Sequence, residues 1–276
     1  MSIDFRVDKT LCTKCGTCVA DCVAMVLAME DDGFPAVRAG KEDDCIGCQH
    51  CLAVCPVAAV SVLGKKPADS LPLAGRLPDA DRLETLIKGR RSVRRFADEN
   101  LPPKVVQRLL DVAGHAPTGV NDRRVLFSVV DDRAVMAKLR TDLYEQIGAL
   151  ADSGKLPEKM AFFAGFVKVW KEKKIDPIFR GAPHLLVVSA PADAPTPEAD
   201  CLIAMTTFDL FAPTVGVGTV WGGLPTWAIT TIAPEFKARL GVPDSHRFGY
   251  AMPFGRPTVN YHRTVQHAPA QVHRVS

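Results

Sequence analysis

Cysteine is the residue type whose spacing most clearly suggests chemistry in this sequence. The 276 residues include nine cysteines, and eight of them lie between positions 12 and 55. They form two runs with the spacing C-x2-C-x2-C-x3-C, which are Cys12, Cys15, Cys18 and Cys22, then Cys45, Cys48, Cys51 and Cys55. Thiolates are soft ligands, and such regular spacing lets a tight loop wrap around a metal centre. The ninth, Cys201, stands alone and is interpreted as a packing residue.

Both runs resemble the ligand pattern of bacterial two-cluster ferredoxins, in which the last cysteine of each run binds the other 4Fe–4S cluster. The resemblance implies that Cys12, Cys15, Cys18 and Cys55 bind one cluster, and that Cys45, Cys48, Cys51 and Cys22 bind the second. The two runs are offset by 33 residues, which indicates an internal repeat. One departure is Val23, which follows Cys22 where the pattern usually has proline.

Disulfides and zinc are the alternative uses of these cysteines. The N-terminus lacks the features of a signal peptide, so we expect a cytoplasmic protein, and a reducing compartment disfavours disulfides. Zinc sites rarely use three cysteines at successive x2 spacings followed by a fourth at x3. Apolar neighbours, among them Val19, Val23 and Met25, are expected to shield the sulfur atoms from water.

Composition limits the possible partners. Hydrophobic residues make up 47% and charged residues 24% of the chain, which is typical of globular proteins. No apolar run approaches the ~18–20 residues that span a bilayer, and a net charge of +3 is too small to suggest nucleic-acid binding. Residues 1–66 hold seven basic and nine acidic residues, whereas residues 67–276 hold 27 and 22. This suits an electron-transfer module followed by a domain for an anionic cofactor.

A proline-rich stretch without periodicity separates two regions of the chain. It contains Pro67, Pro72 and Pro78, and it predicts an extended linker over residues 67–80. We therefore expect a cysteine domain over 1–66 and a second domain over 81–276. The second domain is predicted to begin with a helix whose N-cap is Asp81.

The cationic sequence RRSVRRF follows this first helix of the second domain. Arginine side chains provide paired, charge-assisted hydrogen bonds to phosphate. Here the chain resembles the nitroreductase family, whose flavin domain begins with a helix leading into R-R-S-x-R-x-F. The resemblance implies that Arg90, Arg91, Ser92 and Arg94 contact the phosphate, the ribityl chain and the N1/O2 edge of FMN.

A second segment resembles the family pattern A-P-S-x-x-N-x-Q-P-W. The matches are Ala116, Pro117, Thr118 and Asn121, and the resemblance implies that the last three contact FMN across a homodimer interface. The sequence departs from the pattern at positions 122–125. Arg123 and Arg124 therefore either bind an anionic substrate or face solvent.

Two further segments complete the resemblance. The sequence GVGTVWGG resembles the family's G-L-G-T-x-W-x-G-G, where a backbone N–H donates to flavin N5, and this implies that Gly222 and Gly223 lie at the cofactor. Near the C-terminus, Arg263 and, as second choice, Arg256 are expected to complete the phosphate site. His184 and the aromatic stripe of Phe162, Phe163, Phe166 and Trp170 are interpreted as structural, the stripe as core or interface.

The expected fold is α+β: a ferredoxin-like two-cluster module followed by a three-layer α/β/α flavin domain with a mostly antiparallel sheet. The resemblance implies an FMN-dependent oxidoreductase, in which the clusters would pass single electrons and FMN would release two together. The donor would be a ferredoxin or NAD(P)H, and the acceptor a nitroaromatic, a quinone or an activated alkene. The alternative is an electron carrier that serves a protein partner. No side chain is identified as a general acid.

Overall fold

The computed structural model describes residues 3–275, and it divides into two compact units. The first unit comprises the chain up to Pro78 together with Val120–Asp122, and the second comprises Asp79–Gly119 and the chain from Arg123 onward. Among residues 3–275, no helix combines the length and the apolar character that crossing a membrane would require.

The first unit is small and contains short elements only. Strand β1 pairs with β4, and strand β2 pairs with β3, both antiparallel. Its helices and strands are β1 (Arg6–Val7), α1 (Thr17–Ala20), β2 (Leu27–Met29), β3 (Pro35–Val37), α2 (His50–Ala53) and β4 (Val60–Ser61), with 3-10 turns at Glu42–Asp44 and Pro67–Asp69. An apolar cluster that includes Val26, Leu27, Leu52 and Val60 forms its core.

The predicted internal repeat is visible in the backbone of this unit. Three pairs of residues with positive φ are each 33 positions apart, namely Lys14 and Gly47, Gly16 and Gln49, and Met25 and Ala58. The hydrogen bonds repeat with the same offset, since the backbone N–H groups of Met25 and Ala58 donate to the carbonyls of the fourth cysteine of their own run. The two halves therefore share a backbone path as well as a cysteine spacing.

The second unit is built from longer elements. They are α3 (Ala80–Gly89), α4 (Pro103–Ala113), β5 (Leu126–Val130), α5 (Arg133–Asp152), α6 (Phe163–Lys173), β6 (His184–Pro191), α7 (Pro197–Phe211), β7 (Gly218–Thr219), α8 (Gly223–Trp227), a π-helical turn (Ala228–Ile232), α9 (Phe236–Arg239) and β8 (His246–Gly255). Shorter 3-10 turns occupy Glu158–Met160 and Ala212–Val215.

A four-stranded antiparallel sheet in the order β5-β6-β8-β7 organises the second unit. Successive side chains of a strand point to opposite faces, so Leu185 and Val187 join the core with α5 and α6. Leu186 and Val188 join the opposite core with α4 and α7. The predicted α+β class, with helices on both faces of an antiparallel sheet, is confirmed.

One local prediction is wrong, and another holds for most of its residues. The N-cap of α3 is Asp79 rather than Asp81, because the Asp79 carboxylate accepts hydrogen bonds from the Asp81 and Arg82 N–H groups at 3.0 and 3.2 Å. Of the aromatic stripe, Phe163 belongs to the core, and Phe166 and Trp170 pack against it. Phe163 is fully buried, whereas Phe162 is 46% exposed and lies edge-on to Trp227.

Candidate functional site

The eight clustered cysteines of the first unit line two cavities. One cavity is lined by Cys12, Cys15, Cys18 and Cys55. The other is lined by Cys22, Cys45, Cys48 and Cys51. In each cavity three cysteines come from one run and the fourth comes from the other run. These are the two sets of four that the ferredoxin resemblance implied.

Left-handed backbone turns bring the cysteines of each run together. Gly16 and Gln49 have φ of 71° and 61°, and each caps the short helix that carries the third cysteine of its run. A sharp reversal at this point folds the second and third cysteines toward the same cavity. After the helix, a second turn at Met25 or Ala58 directs the chain away from the fourth cysteine.

The sulfur atoms receive different hydrogen bonds in the two cavities. In the first, Thr17 Oγ1 donates to Cys15 Sγ and the Ala59 N–H donates to Cys55 Sγ, both at 3.2 Å. In the second, the Val26 N–H donates to Cys22 Sγ at 3.4 Å. The Thr17 hydrogen bond lowers the pKa of the exposed Cys15 thiol.

The apolar side chains that cover the sulfur atoms differ in part from those predicted. Burial raises the pKa of the Cys51 thiol to about 11. The predicted shielding by Val23 and Met25 is wrong, because these side chains are 74% and 66% exposed. Met25 occupies the left-handed turn after Cys22. Shielding comes instead from Val26 and Leu27, which are almost fully buried.

The donor sets of the two cavities suit an inorganic cluster. Within residues 3–275, no group of three or more His, Cys, Asp or Glu side chains lies close enough to hold one metal ion. A 4Fe–4S cluster takes its cysteine thiolates at separate iron atoms. Four thiols spread around a cavity with N–H and O–H donors to sulfur fit that requirement.

The second unit contains a cavity of about 380 Å³ with two arginines in its wall. Its lining consists of Leu86, Gly89, Arg90, Arg91, Val93, Pro213, Gly216, Val217, Gly218, Thr219, Pro257, Val259, Asn260 and Tyr261. Arg90 Nη1 is buried and finds no hydrogen-bond partner within residues 3–275. This nitrogen has an ion-pair contact at 3.4 Å, to Asp209 Oδ2, but no hydrogen bond, and a buried guanidinium donor of this kind at a cavity wall suits an anionic ligand such as the FMN phosphate.

Two distant segments form this wall by pairing along β7. Ser92 and Thr219 form a parallel bridge, and the Val93 N–H donates to the Thr219 carbonyl at 2.8 Å. At the C-terminal end, the Tyr261 hydroxyl donates to the Ser92 carbonyl at 3.2 Å. The cationic segment RRSVRRF is thereby held beside the glycine-rich segment.

The glycine-rich turn continues the pairing with β8. The Val220 and Gly222 N–H groups donate to the Pro253 and Ala251 carbonyls, both at 3.0 Å. Because donors alternate in direction along a strand, the intervening Trp221 N–H is directed away from β8. The Gly223 N–H donates to the Trp221 carbonyl at 3.3 Å. The N–H groups of Val220, Gly222 and Gly223 in this turn thus have carbonyl partners within the chain.

Pro117, Thr118 and Asn121, which the resemblance places at FMN, do not line the 380 Å³ cavity. Thr118 and Arg123 line a separate cavity of about 240 Å³ between α4, β5 and α7. The Thr118 hydroxyl accepts from the Arg123 N–H at 2.9 Å, and the Arg123 guanidinium donates to the Gly114 carbonyl. Asn121 belongs to the first unit, where its side-chain amide donates to the Ile46 carbonyl at 2.9 Å. Pro117 is exposed.

Several predicted arginines are exposed. Arg124 Nη1 lies 3.2 Å from Asp193 Oδ1, and Arg256 forms an ion pair with Glu99. Arg94 and Arg263 are exposed and do not line the 380 Å³ cavity. Arg90 and Arg91 are therefore the members of the predicted cationic set that line this cavity.

The interpretation of two polar residues as structural agrees with their surroundings. His184 is fully buried, and its Nε2 accepts from the Leu101 N–H at 3.0 Å. Burial lowers the pKa of His184. Cys201 is 1% exposed, and burial raises the pKa of its thiol to about 12.

Sequence reasoning missed Asp209, a buried carboxylate beside the arginine-lined cavity. Its side chain is 3% exposed, and Oδ2 lies 3.4 Å from Arg90 Nη1. It also accepts hydrogen bonds from Thr219 and Trp221. The available signal was an acidic residue between the apolar residues Phe208 and Leu210 in the last turn of helix α7. Such a residue in a core requires partners.

Comparisons with known proteins cover both units. The nitroreductase family model matches residues 87–256, and the model of a 4Fe-4S dicluster domain matches residues 11–60. The nitroreductase NfnB of Mycolicibacterium smegmatis is 25% identical over 212 residues, covering 66% of this chain and 88% of its own length. A ferredoxin of Methanothermococcus thermolithotrophicus is 36% identical over 61 residues, covering 22% of this chain and 97% of its own length.

A solved structure shares the fold of the second unit. The nitroreductase of Bacteroides fragilis, whose crystal structure contains bound FMN, superposes with a TM-score of 0.55 at 20% identity. The match covers 70% of this chain and 98% of the B. fragilis chain.

Proposed function

The chain belongs to the nitroreductase family, and on that premise we propose that this FMN-dependent oxidoreductase draws single electrons through two 4Fe–4S clusters and delivers them in pairs to a small electron-poor organic molecule. Nitroaromatics, quinones and activated alkenes are the acceptor classes. The observation that carries the proposal is that one chain combines two four-cysteine cavities with a separate arginine-lined cavity.

The first cluster would be held by Cys12, Cys15, Cys18 and Cys55, and the second by Cys45, Cys48, Cys51 and Cys22. Each of these sets lines its own cavity, which supports two clusters rather than one. Hydrogen bonds to Cys15, Cys22 and Cys55 supply the donors that stabilise thiolate ligands. The clusters supply one-electron transfer.

FMN would bind in the 380 Å³ cavity, with its phosphate near Arg90 and Arg91. Arg90 supplies a buried donor without a protein hydrogen bond, and Arg91 adds a second cation to the wall. The Trp221 N–H faces away from β8 and would serve as the donor to flavin N5. When bound, the flavin supplies two-electron chemistry, accepting electrons singly and releasing them as a pair.

The remaining predicted contacts fit a homodimer. Pro117 and Thr118 belong to a segment that lines a different cavity from Arg90 and Arg91. We propose that this segment contributes to the flavin site of a second copy of the chain, together with Asn121. The exposed Leu202 and Ile203 on α7 offer apolar surface for such a contact. A ferredoxin-type protein or NAD(P)H would be the electron donor.

The direct test is anaerobic purification followed by cofactor analysis and stepwise reduction. We expect about eight iron, about eight sulfide and one FMN per chain. Reduction by a ferredoxin or by NAD(P)H should bleach cluster absorbance and then flavin absorbance, and a substrate panel should reoxidise both. Zinc without acid-labile sulfide would contradict the cluster assignment. Turnover with a protein acceptor but with no small molecule would instead favour an electron carrier.

The FMN cavity has its own test in Arg91→Ala, with Arg95→Ala as the matched control. Both residues belong to the segment RRSVRRF, but Arg91 lines the cavity and Arg95 does not. Loss of one charge-assisted contact, about 1.5–3 kcal/mol, should weaken FMN binding by about tenfold or more. Equal FMN affinity in the two variants would argue against the phosphate site.

A further inference from the structure

Asp209 connects the two segments that form the wall of the arginine-lined cavity. It lies on α7, and its side chain is 97% buried. Oδ1 accepts a hydrogen bond from the Thr219 hydroxyl, and Oδ2 accepts one from Trp221 Nε1 at 2.9 Å. Arg90 Nη1 lies 3.4 Å from Oδ2. A single carboxylate thus contacts Arg90, Thr219 and Trp221, and Arg90 is far from the other two in the sequence.

Because the Asp209 carboxylate is buried, it requires its contacts with Arg90, Thr219 and Trp221. A buried carboxylate without partners costs several kcal/mol, and removing one member of a buried charge pair leaves the other uncompensated. The cation and the two donors around Asp209 remove that penalty only while all three stay in place. The carboxylate therefore fixes the position of Arg90 relative to the segment from Thr219 to Trp221.

Charge compensation is a second consequence. Arg90 faces the cavity but shares its charge with Asp209, whereas Arg91 lines the same cavity without a salt bridge among the described residues. The net positive charge that the cavity offers to an anion is therefore smaller than the two arginines suggest.

We propose that Asp209 is a positioning residue that aligns Arg90 with the Thr219–Trp221 segment and lowers the effective charge of Arg90 toward the flavin. The inference rests on the proposed binding of FMN in this cavity. Trp221 is the residue whose backbone N–H faces away from β8, so the hydrogen bond to its indole also fixes the donor proposed for flavin N5. The nitrogen Nε1 and the backbone N–H belong to one residue, and holding the ring restrains both.

The test compares Asp209→Asn with wild type in FMN titrations of the apoprotein and in redox titrations of the bound flavin. The asparagine side chain keeps one acceptor oxygen and has an NH2 group in place of the other. The NH2 group cannot accept a hydrogen bond from the Thr219 hydroxyl or the Trp221 indole, so one charge-assisted hydrogen bond is lost. The variant raises the net positive charge of the cavity but releases Arg90 from its position. We expect the loss of alignment to dominate, so that FMN binding weakens by about tenfold or more. The two-electron potential of the bound flavin should become less negative, because the variant removes the buried negative charge that contacts Trp221, the residue proposed to lie at the flavin ring.

Asp176→Asn is the matched control for lost stability. Asp176 is also a buried aspartate, with the Arg140 guanidinium at 2.8 Å and the Tyr144 hydroxyl at 2.8 Å, and it does not line the cavity. This variant should lower the unfolding temperature without changing the flavin potential. A change of potential that is the same in both variants, or absent from both, would overturn the positioning role.

Two milder variants keep the proposal testable if Asp209→Asn does not fold. Thr219→Val and Trp221→Phe each remove one donor and leave the Asp209–Arg90 pair. They should weaken FMN binding without shifting the potential. Unchanged affinity in the double variant would refute the alignment. If the wild-type apoprotein binds no FMN, the proposed function fails. If wild type binds FMN and the Asp209→Asn variant binds it equally well, only the positioning role of Asp209 fails.

Discussion

The two halves of the first unit have the same cysteine spacing and backbone turns, yet they give sulfur different surroundings. Cys15 is exposed and accepts from the Thr17 hydroxyl. At the equivalent place in the second half, Cys48 is followed two residues later by His50, whose Nδ1 lies 3.4 Å from Asp21 Oδ2. The spacing thus specifies which thiols come together, whereas the residues between the cysteines specify what each thiol contacts.

This difference bears on how electrons would move. Hydrogen bonds to sulfur and solvent exposure both influence cluster potential. In the first cavity, sulfur atoms accept hydrogen bonds from Thr17 and Ala59 and one cysteine is exposed, whereas in the second Cys22 accepts one from Val26. We therefore expect the cluster of the first cavity to have the less negative potential.

The largest expected effect comes from removing the cysteine that each run contributes to the other cavity. Cys55→Ala takes the fourth ligand from the cavity of Cys12, Cys15 and Cys18, and Cys22→Ala takes it from the other. Each variant should lose one cluster, so that iron falls from about eight to about four per chain. Iron and sulfide analysis with EPR spectroscopy of the reduced protein measures this.

The EPR signal that remains in each variant tests whether Cys22 and Cys55 each bind the cluster of the other run. The two variants should retain different EPR signals, because each keeps a different cavity intact. If each run bound its own fourth cysteine, Cys55→Ala would instead remove the cluster of Cys45, Cys48 and Cys51. Cys201→Ala is the control, and it should leave both signals unchanged because this thiol lies in the second unit.

An intermediate effect is expected at the left-handed turn that both halves share. Gly16 and Gln49 are equivalent, with φ of 71° and 61°. A side chain in this conformation costs about 1–2 kcal/mol, partly offset by the entropy of glycine. Gly16→Ala should therefore destabilise the unit and Gln49→Gly should stabilise it, each by about 1 kcal/mol. In anaerobic guanidinium titrations monitored by cluster absorbance, the unfolding midpoint should be lowest for Gly16→Ala, intermediate for wild type and highest for Gln49→Gly.

Steric crowding around Gly16 would not explain a lower stability of the Gly16→Ala variant. A Cβ on Gly16 would meet only Met29 Sδ, at 3.9 Å, which is ordinary contact. Backbone conformation is then the one source of strain. Equal midpoints for the three proteins would mean that the turn relaxes when its residue changes.

Sequence predicts the cysteine cavities well because the information is local. Ligands two and three residues apart need only a tight turn, and the crossing of Cys22 and Cys55 follows from the ferredoxin resemblance. The failures at Val23 and Met25 have the same local cause. The turn after the fourth cysteine rotates these side chains outward, and hydrophobicity alone does not report that rotation.

The second unit was less predictable, because its cavity joins segments more than 100 residues apart. Arg90 and Arg91 line it as the motif implied, but the motif gave no indication that a helix residue, Asp209, contacts Arg90. The glycine-rich motif located the turn, whereas the strand pairing showed that the Gly222 N–H already donates to Ala251. Such assignments depend on register, and register depends on long-range pairing.

The smallest expected effect, and the sharpest test of the difference between the halves, is at Thr17. Thr17→Val keeps the shape of the side chain and removes the hydroxyl that donates to Cys15 Sγ at 3.2 Å. Because a net hydrogen bond contributes about 0.5–1.5 kcal/mol, the potential of the first cluster should fall by at most about 60 mV. EPR-monitored redox titration measures both clusters in one sample, so the second cluster serves as an internal reference. A shift of both potentials, or of the second alone, would mean that Thr17 does not act through Cys15 and that the two halves differ for another reason.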